Sequence, residues 1–546
     1  MAVINAFHGI VPRLAWHRLP REAATVAHDV KLRNGKLEAW RERLAVTQSV
    51  SGAVCLHAHG CCLFTYDTCV DMTDYVADYG RVYLTGRKDY PEVAAVDSST
   101  CALTYYRLGV PQPTTALKVS ATQSTGRNCA ERTYVYTFMN LFGEEGAPSP
   151  ASSAVTVADG ATVTVSGFTT PDAVYGVTHI NLYRTATVWR AGNEKSQEPG
   201  TEYFLVATFA IGPTSYKDTI LDKALGAAIT TEDSREPPED LRHISYLHGT
   251  GVLTGVTNNQ VHFSRPYLPS DWPAQNDLTL PHNIVNAVTV GNVLFVSTDS
   301  YPYVIQGAPN CEAHQCRNVN EVNTPLPDIS CGHAHSAIGT PFGMIYSSKD
   351  GLVLVSGDGK FQLVTSGWFS SDDWVKIRPD TVRLAYWRGY VVCVTDAIAF
   401  MLEIDAGTYN DETGANLVTI SDSPVDLITD DAGELLMLQD DIIWQWNAGK
   451  TYRKYQWISR ELGENGESTP LAAKVRTTGI KLQIIDAEGG HLFERFVPDE
   501  TPVRLARLGR RVPWRLGFTG TGTVEYAALG MTMNTVRGDS ERGNTM

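Results

Sequence analysis

Short apolar strands separated by turn residues recur along most of the chain. From about residue 240 they return at intervals of roughly 8 to 12 residues, a spacing typical of sandwiches, barrels and propellers. Many of them form hairpins with the same sequence pattern, in which a turn containing Asp or Gly joins two apolar strands. Examples are Gly251–Gly255, Val288–Val296, Gly343–Tyr346, Gly351–Ser356, Tyr390–Thr395 and Glu434–Leu438. The pattern favours a divergent β-propeller body over residues 241–460, with a sandwich or barrel as the alternative.

A segment of different character lies between residues 116 and 230. Apolar and polar residues alternate there, as expected for half-buried strands. About 100 residues with strands at this spacing are typical of an immunoglobulin-like or fibronectin-III-like sandwich. The predicted strands are Thr133–Asn140, Ala161–Ser166, Ile180–Thr185 and Tyr203–Thr208. The predicted fold class is therefore all-β, with a divergent β-propeller-like body and an inserted immunoglobulin/fibronectin-III-like β-sandwich.

The two ends of the chain are also predicted to form β-structure. Residues 1–115 contain strands such as Arg81–Thr85 and should contribute to the propeller body; they end at the proline-rich exit Leu108–Pro113. The acidic, proline-rich stretch Glu232–Asp240 is interpreted as a linker. Residues 461–546 form a carboxy-terminal β-region, and its polar tail Arg537–Met546 is expected to be disordered unless a partner orders it.

Composition agrees with many short strands around a large core. The 546 residues are 43% hydrophobic and 19% charged, and 46 Gly, 27 Pro and 24 Tyr suit strands joined by turns. The net charge of −15 argues against a protein that binds nucleic acid over its whole surface. An acidic wall would still let DNA slide through a channel, because it repels the phosphates. Solubility is the preferred explanation for most of the negative charge.

The sequence contains no targeting or membrane-spanning pattern. Met1–Pro12 lacks the basic region, apolar stretch and cleavage site of a signal peptide. No run of about 18 apolar residues could span a bilayer. We expect synthesis and folding in the cytoplasm, where the ten cysteines would be reduced.

Common catalytic motifs are absent. The sequence has no phosphate-binding GxxxxGK[ST], no HExxH and no GxSxG, so we expect no enzymatic activity and no cofactor. Two carboxylates could serve a glycosidase, and paired aspartates are present. They are Asp372–Asp373, Asp430–Asp431 and Asp440–Asp441. Each pair lies in a predicted turn, where aspartate is favoured for backbone reasons, and that interpretation is preferred.

Two groups of cysteine and histidine offer metal ligands. In Cys55–Cys62 the spacing is too crowded for a zinc ribbon. Strand alternation would place His57, His59 and Cys61 on the same face as Cys55, so strand packing is preferred. The second group has looser spacing and comprises Cys311, His314, Cys316, Cys331 and His333. This group could bind a metal, or Cys311 and Cys316 could form a disulfide after lysis. The favoured interpretation is that its members are unpaired loop residues.

One basic stretch contrasts with the acidic chain. Five arginines accompany Trp514 and could contact phosphates or an acidic partner. They are Arg504, Arg507, Arg510, Arg511 and Arg515. A salt-bridged surface between subunits explains them equally well and is slightly preferred.

Four stretches together resemble the tail nozzle proteins of short-tailed bacteriophages, the tail tubular protein B-like virion proteins. The opening of the chain is similar to the start of these proteins in Gly9–Leu14, Leu19–Ala24 and Val30–Leu37. Tyr106–Thr114 precedes the inserted module, and Arg132–Pro150 resembles the family's sequence segment that opens this module. Val261–Pro273 resembles the family's segment for a strand leaving a propeller blade. Their order spans about half of the chain.

The resemblance implies a structural virion protein without catalytic residues. Such nozzles form a hexameric ring below the portal and its adaptor, with a propeller-like body around a channel for genomic DNA. Expected partners are five further copies of the chain, the portal adaptor, and tail fibres or a tail needle. The chain is shorter than the longest family members, and the group Cys311–His333 departs from their pattern.

Two alternatives come from other functional classes. A receptor-binding tail adhesin should show fibrous repeats or heptads near one end, and none are visible in the sequence. A propeller glycosidase acting on host surface polysaccharide would need carboxylates converging at the propeller axis. The nozzle role is the favoured interpretation.

Overall fold

The computed structural model describes most of the chain. It covers residues 2–47, 50–75, 80–125, 129–158, 160–187, 199–307, 309, 315–318, 329–404, 416–462, 470–506 and 513–537. These residues divide into two compact units. The first comprises Met1–Thr68, Phe295–Val304 and Arg317–Met546, and the second comprises Cys69–Leu294 and Ile305–Cys316. Nearly all regular structure is β, and no described helix is long and apolar enough to cross a membrane.

The second unit contains two four-stranded antiparallel sheets with the form of propeller blades. The sheet before the sandwich has the strand order Asp71–Asp74, Arg81–Thr85, Glu92–Asp97 and Ala102–Arg107. The sheet after it runs Arg242–Leu247, Val252–Thr257, Gln260–Phe263 and Leu278–Thr279. Each consists of sequential hairpins, so every hydrogen-bonded neighbour is also the next strand along the chain. Such local pairing requires only short turns, here supplied by residues such as Asp97 and Asn258.

The sandwich is inserted between these two sheets. One of its sheets has the order Lys118–Ala121, Val163–Ser166 and Ser215–Asp218, and the other has Tyr134–Asn140, Val177–Thr187 and Pro199–Ala210. A short pair, Ala130–Arg132 with Val155–Val157, completes it. Alternate residues of the strand Tyr134–Asn140, namely Tyr134, Tyr136 and Phe138, enter the core with Val163 and Leu182. This is the period-two pattern from which the sandwich was predicted.

The first unit is built around a nine-stranded sheet. Its strand order is Arg383–Trp387, Tyr390–Val394, Ala399–Glu403, Leu417–Thr419, Ala24–His28, Tyr455–Ser459, Trp514–Gly520, Ile480–Asp486 and His491–Val497. The strand Ala24–His28 therefore lies between two strands that are distant in sequence; its His28 pairs with Thr419, 391 residues away. Side chains of this sheet contribute to a buried hydrophobic core, which includes Phe7, Trp457 and Phe518.

Smaller sheets complete the first unit. Two are blade-like and four-stranded: Ala337–Thr340, Gly343–Ser347, Leu352–Val355 and Phe361–Leu363; and Asp426–Thr429, Leu435–Gln439, Ile442–Gln445 and Leu44–Ala45. A third has the order Ala2–Ile4, Val524–Gly530, Ala472–Thr477 and Val503–Arg504. Two-stranded pairs are Val30–Lys31 with Glu38–Ala39 and Cys55–His59 with Cys62–Tyr66. Among the described residues, the α-helices are Ser371–Lys376 and Met533–Arg537.

Four more strands lie near the point where the chain passes from one unit to the other. They are Ile284–Val290, Val293–Thr298, Tyr303–Gln306 and Gln315–Asn318. The predicted strand Val288–Val296 is thus two strands joined at Gly291, which has φ +61°. The predicted fold class, an all-β chain with a propeller-like body and an inserted sandwich, is confirmed. The stretch Glu232–Asp240 contains no strand, and its carboxylates Asp233 and Glu239 form ion pairs with Arg265 and Arg107.

Candidate functional site

The described members of the arginine stretch lie in different sheets. Arg504 is exposed on the short strand Val503–Arg504, opposite Ala472. Arg515 lies in the nine-stranded sheet, where its guanidinium is 2.9 Å from the Glu461 carboxylate and donates to the Ala487 carbonyl. Arg507, Arg510 and Arg511 lie outside the described residues. Arg515 is therefore engaged within its own chain, and contact of the stretch with DNA or a partner stays a prediction.

Of the predicted metal candidates, Cys331 and His333 have described side chains. Cys331 is buried, its Sγ lies 3.5 Å from Ser336 Oγ, and burial raises the pKa of its thiol, which favours the protonated form. His333 donates from Nδ1 to the Ala334 carbonyl at 2.6 Å, and burial lowers its pKa. Cys316 lies in the strand Gln315–Asn318, but its side chain is outside the described part, as are Cys311 and His314. A metal site there stays a prediction.

The crowded group at Cys55–Cys62 forms a hairpin. Cys55 and His57 share one face of the strand Cys55–His59, with Sγ and Nε2 3.3 Å apart, as strand alternation predicts. The chain then turns at Gly60, whose φ of +56° favours glycine and whose amide donates to Asp431 at 3.1 Å. The local geometry is that of a strand and a tight turn.

The paired aspartates stabilise turns and a helix start. Asp373 accepts a hydrogen bond from Ser370 Oγ in the first turn of the helix Ser371–Lys376 and pairs with Lys376 at 2.8 Å. Asp430 accepts from the amide of Glu434 at 2.8 Å. Asp440 and Asp441 have φ of +56° and +58°, the conformation of a two-residue hairpin turn. The predicted turn at Asp372–Asp373 is wrong, because both residues lie in the first turn of a short helix; the other two pairs lie at turns as predicted.

A charged surface that sequence reasoning missed lies on the sheet containing Ala472–Thr477. We call it the Glu500 network: Glu500, Lys474, Arg476, Tyr526, Glu525 and Lys36. The Glu500 carboxylate accepts from Tyr526 OH at 2.6 Å and lies 3.0 Å from both Lys474 Nζ and Arg476 Nε. Arg476 also stacks over the Tyr526 ring, 5.1 Å from its centroid. One carboxylate thus holds three donors.

The network continues to the amino-terminal segment and borders a cavity. Glu525 lies 2.9 Å from Lys36 Nζ and 3.8 Å from Arg476. A cavity of about 430 Å³ is lined by Lys474, Asp499, Glu500, Thr501, Pro502 and Arg537. Lys36 and Glu525 are 489 residues apart. No local sequence signal identifies such a surface; the only hint is the i, i+2 spacing of Lys474 and Arg476 on one strand face.

Hydrogen bonds from Arg476 and Tyr526 lower the pKa of Glu500 to about 2, from an ordinary value of 4.5. A carboxyl whose pKa is lower in the folded state stabilises the fold above its unfolded pKa, and that contribution is lost as pH falls. We expect stability to decrease as pH drops from about 4.5 to 2, by about 1 kcal/mol for this partly exposed group.

The variant Glu500→Gln should remove that pH-dependent contribution. Thermal unfolding of both proteins, measured at intervals between pH 2.5 and 6, tests it. The difference between their melting temperatures should shrink toward low pH. An unchanged difference across that range would show that Glu500 is not coupled to its three donors. Glu488→Gln is the matched control, because Glu488 is exposed in the turn that follows the strand Ile480–Asp486.

Comparisons with known proteins give structural neighbours and no family. No family model matches the chain, and no curated protein matches it. The chain is similar to the WD40 repeats of RRP9 at 9% identity and a TM-score of 0.31, covering 77% of this chain and 100% of that one. It is also similar to the carboxy-terminal WD40 domain of Sif2, at 11% identity and a TM-score of 0.25, with 74% of this chain and 98% of that one covered. A third neighbour is Hsv2 of Kluyvelomyces marxianus, at 12% identity and a TM-score of 0.20, covering 53% of this chain and 90% of that one.

Proposed function

We propose that this chain is a structural protein of a short phage tail, where it forms the distal nozzle ring that holds and conducts the genome during ejection. The observation that carries the proposal is where the sequence segments that resemble the nozzle family lie on the fold. Tyr106–Thr114 covers the exit from the blade strand Ala102–Arg107. Arg132–Pro150 contains the sandwich strand Tyr134–Asn140 and the turn after it. Val261–Pro273 begins in the strand Gln260–Phe263 of the next blade and continues toward Leu278–Thr279, the fourth strand of the same sheet.

These segments lie on three successive parts of one architecture. The first leads out of a blade, the second lies within the inserted sandwich after its first strand Lys118–Ala121, and the third lies within the blade that follows the sandwich. A sandwich inserted between two blades is the arrangement that the resemblance to nozzle proteins implies. The segments were selected from sequence alone, and their order of blade, sandwich and blade along the fold supports the nozzle interpretation.

The chemistry of the described residues also suits a structural role. The paired aspartates that could have served a glycosidase are used in turns and at a helix start. The net charge of −15 would repel DNA phosphates from a channel wall. In this proposal the chain assembles as a homohexamer on the portal adaptor, carries tail fibres or a tail needle, and encloses the passing genomic DNA. Its place is the tail of the virion, after synthesis in the host cytoplasm.

Electron microscopy of labelled virions tests the location. An epitope tag fused after Met546 would be bound by gold-conjugated antibody, and particles would be imaged in negative stain. We expect label at the distal end of a short tail with six-fold symmetry in end views. Label on thin peripheral fibres would instead support the adhesin, and virions without label would overturn both structural roles. Untagged virions control for nonspecific gold.

Assembly gives an independent prediction. We expect the isolated chain to be a weakly associating monomer that closes into a ring on the adaptor, because a cyclic interface gains most when all its contacts form together. Mass photometry at nanomolar concentration, with and without purified adaptor, checks this. A stable hexamer in dilute isolation would contradict the adaptor-dependent closure, while leaving the ring itself supported.

A further inference from the structure

The second unit contains a cleft that the nozzle role does not use. Its cavity volume is about 550 Å³, within the range of roughly 300–1,000 Å³ typical of ligand sites. Three segments line it: the sandwich turn at Phe142–Glu145, the stretch at Thr230–Ser234, and the hairpin at Arg265–Asp271. Arg81 contributes from a neighbouring blade strand. The lining therefore combines aromatic, hydroxyl, guanidinium and carboxylate groups.

Tyr267 gives the cleft an aromatic platform in a fixed orientation. The residue is 59% exposed and has φ of +60°, which non-glycine residues rarely adopt. Its amide donates to the Gly251 carbonyl at 2.7 Å. One face of the ring lies so close over Gly251 that a β-carbon there would be 2.9 Å from three ring atoms. The ring is thus held against backbone on one face, while more than half of the residue stays accessible to a ligand.

Both guanidinium groups in the cleft are already paired with carboxylates. Arg81 pairs with Glu144 at 2.7 Å, both side chains being less than 10% exposed, and stacks over Phe142 at 4.3 Å. Arg265 lies 2.9 Å from Asp271, and Asp271 also accepts from Ser234 at 3.1 Å. Because each of these two guanidinium groups has a carboxylate partner, an anionic ligand would gain little charge attraction and would meet nearby carboxylates.

Balanced donor–acceptor pairs suit a ligand rich in hydroxyl groups. A hydroxyl both donates and accepts, so it can bridge a guanidinium N–H and the neighbouring carboxylate oxygen without unbalanced charge. The apolar C–H face of a sugar ring can lie on the exposed face of an aromatic side chain, with its hydroxyl groups directed to the polar walls. We propose that this cleft binds a neutral saccharide, with Tyr267 as the stacking platform. The proposal does not depend on the nozzle role.

Binding to a defined saccharide panel tests the proposal. The full-length protein would be titrated by isothermal calorimetry with neutral gluco-, galacto- and mannohexaoses, and with sialylated and sulfated oligosaccharides of similar length. We expect binding to at least one neutral hexaose and weaker binding to the acidic ones. Tyr267→Ala should weaken that binding about tenfold, whereas Tyr267→Phe, which keeps the ring, should change it less than about threefold.

Two controls keep the result interpretable. Tyr452→Ala removes a tyrosine of similar exposure, 52%, outside the cleft and should leave affinity unchanged. Tyr267→Ala retains the backbone conformation and the β-carbon, so circular dichroism and melting temperature should match the parent protein. Absence of binding to every neutral hexaose, preference for the acidic oligosaccharides, or equal affinity of the Tyr267→Ala and parent proteins would each overturn the proposal. None of these outcomes bears on ring assembly or virion location.

Discussion

Replacing Trp457 with alanine is expected to destabilise the first unit by about 3–5 kcal/mol, because the substitution leaves a large cavity in a fully buried core. The Trp457 ring is 5.0 Å from that of Phe7 and 6.0 Å from that of Phe518. Its indole Nε1 donates to the carbonyl of His8 at 3.0 Å. One side chain therefore joins the amino-terminal segment to two strands of the carboxy-terminal half.

Hydrogen exchange with mass spectrometry measures this effect by segment, which suits a large chain whose unfolding need not be two-state. Protection should fall most in the strands Ala24–His28 and Trp514–Gly520, which flank Tyr455–Ser459 in the nine-stranded sheet. Trp16→Ala is the matched control, since that side chain is 43% exposed and should change protection little. Uniform loss of protection over both units would contradict the assignment of Trp457 to the core of the first unit alone.

Asp218→Asn is expected to destabilise the inserted sandwich by about 3–5 kcal/mol, because it removes the fully buried counter-ion of the Arg184 guanidinium and leaves only the partly exposed Asp222 to pair with it. Both side chains of this pair have 0% exposure, and Arg184 Nε lies 3.0 Å from Asp218 Oδ2. Asp218 also accepts from Tyr134 OH at 2.8 Å and from the amide of Ile220 at 2.9 Å. Asp218 and burial together raise the pKa of Tyr134, burial being the larger cause, so its hydroxyl stays a donor.

Loss of exchange protection in the strand Tyr134–Asn140 would report the effect. Asp222→Asn provides the comparison, because Asp222 pairs with the same guanidinium at 2.7 Å but is 31% exposed and should cost about 1 kcal/mol. The double variant Arg184→Met, Asp218→Leu should recover much of the lost stability, since it buries no unpaired charge. If Asp218→Asn and Asp222→Asn lower the free energy of unfolding by the same amount, burial does not determine how strongly each ion pair stabilises the sandwich.

A second buried charge cluster joins the amino-terminal segment to the region that follows residue 416. Arg453 pairs with the carboxylate of Asp422 and lies 3.7 Å from that of Asp29, with both acids nearly buried. The Asp29 carboxylate also accepts from the amide of Ser421 at 3.1 Å and from its hydroxyl at 2.6 Å. Together with Trp457, this cluster fixes the amino-terminal segment to the strands that follow residue 416. In a nozzle ring, such closure would let each protomer keep its fold while its outer surfaces contact neighbours.

The sequence by itself determined the features that depend on neighbours along the chain. The predicted strands Arg81–Thr85 and Tyr390–Thr395 appear as Arg81–Thr85 and Tyr390–Val394, because alternation and turn residues specify a hairpin locally. The sandwich was found for the same reason: its inward residues recur with period two. The backbone role of the paired aspartates was also accessible, since Asp favours turns and helix starts through its own short-range hydrogen bonds.

Tertiary structure alone decided which distant residues meet. The pairing of Ala24–His28 with Leu417–Thr419 and Tyr455–Ser459 has no local signal, because any strand of suitable pattern could fill that place in the sheet. The Glu500 network combines charges from segments that are hundreds of residues apart, and the Tyr267 platform requires the close approach of Gly251. Period and turn chemistry act over a few residues, whereas charge pairing and cleft formation depend on separation in space, which the folded chain sets.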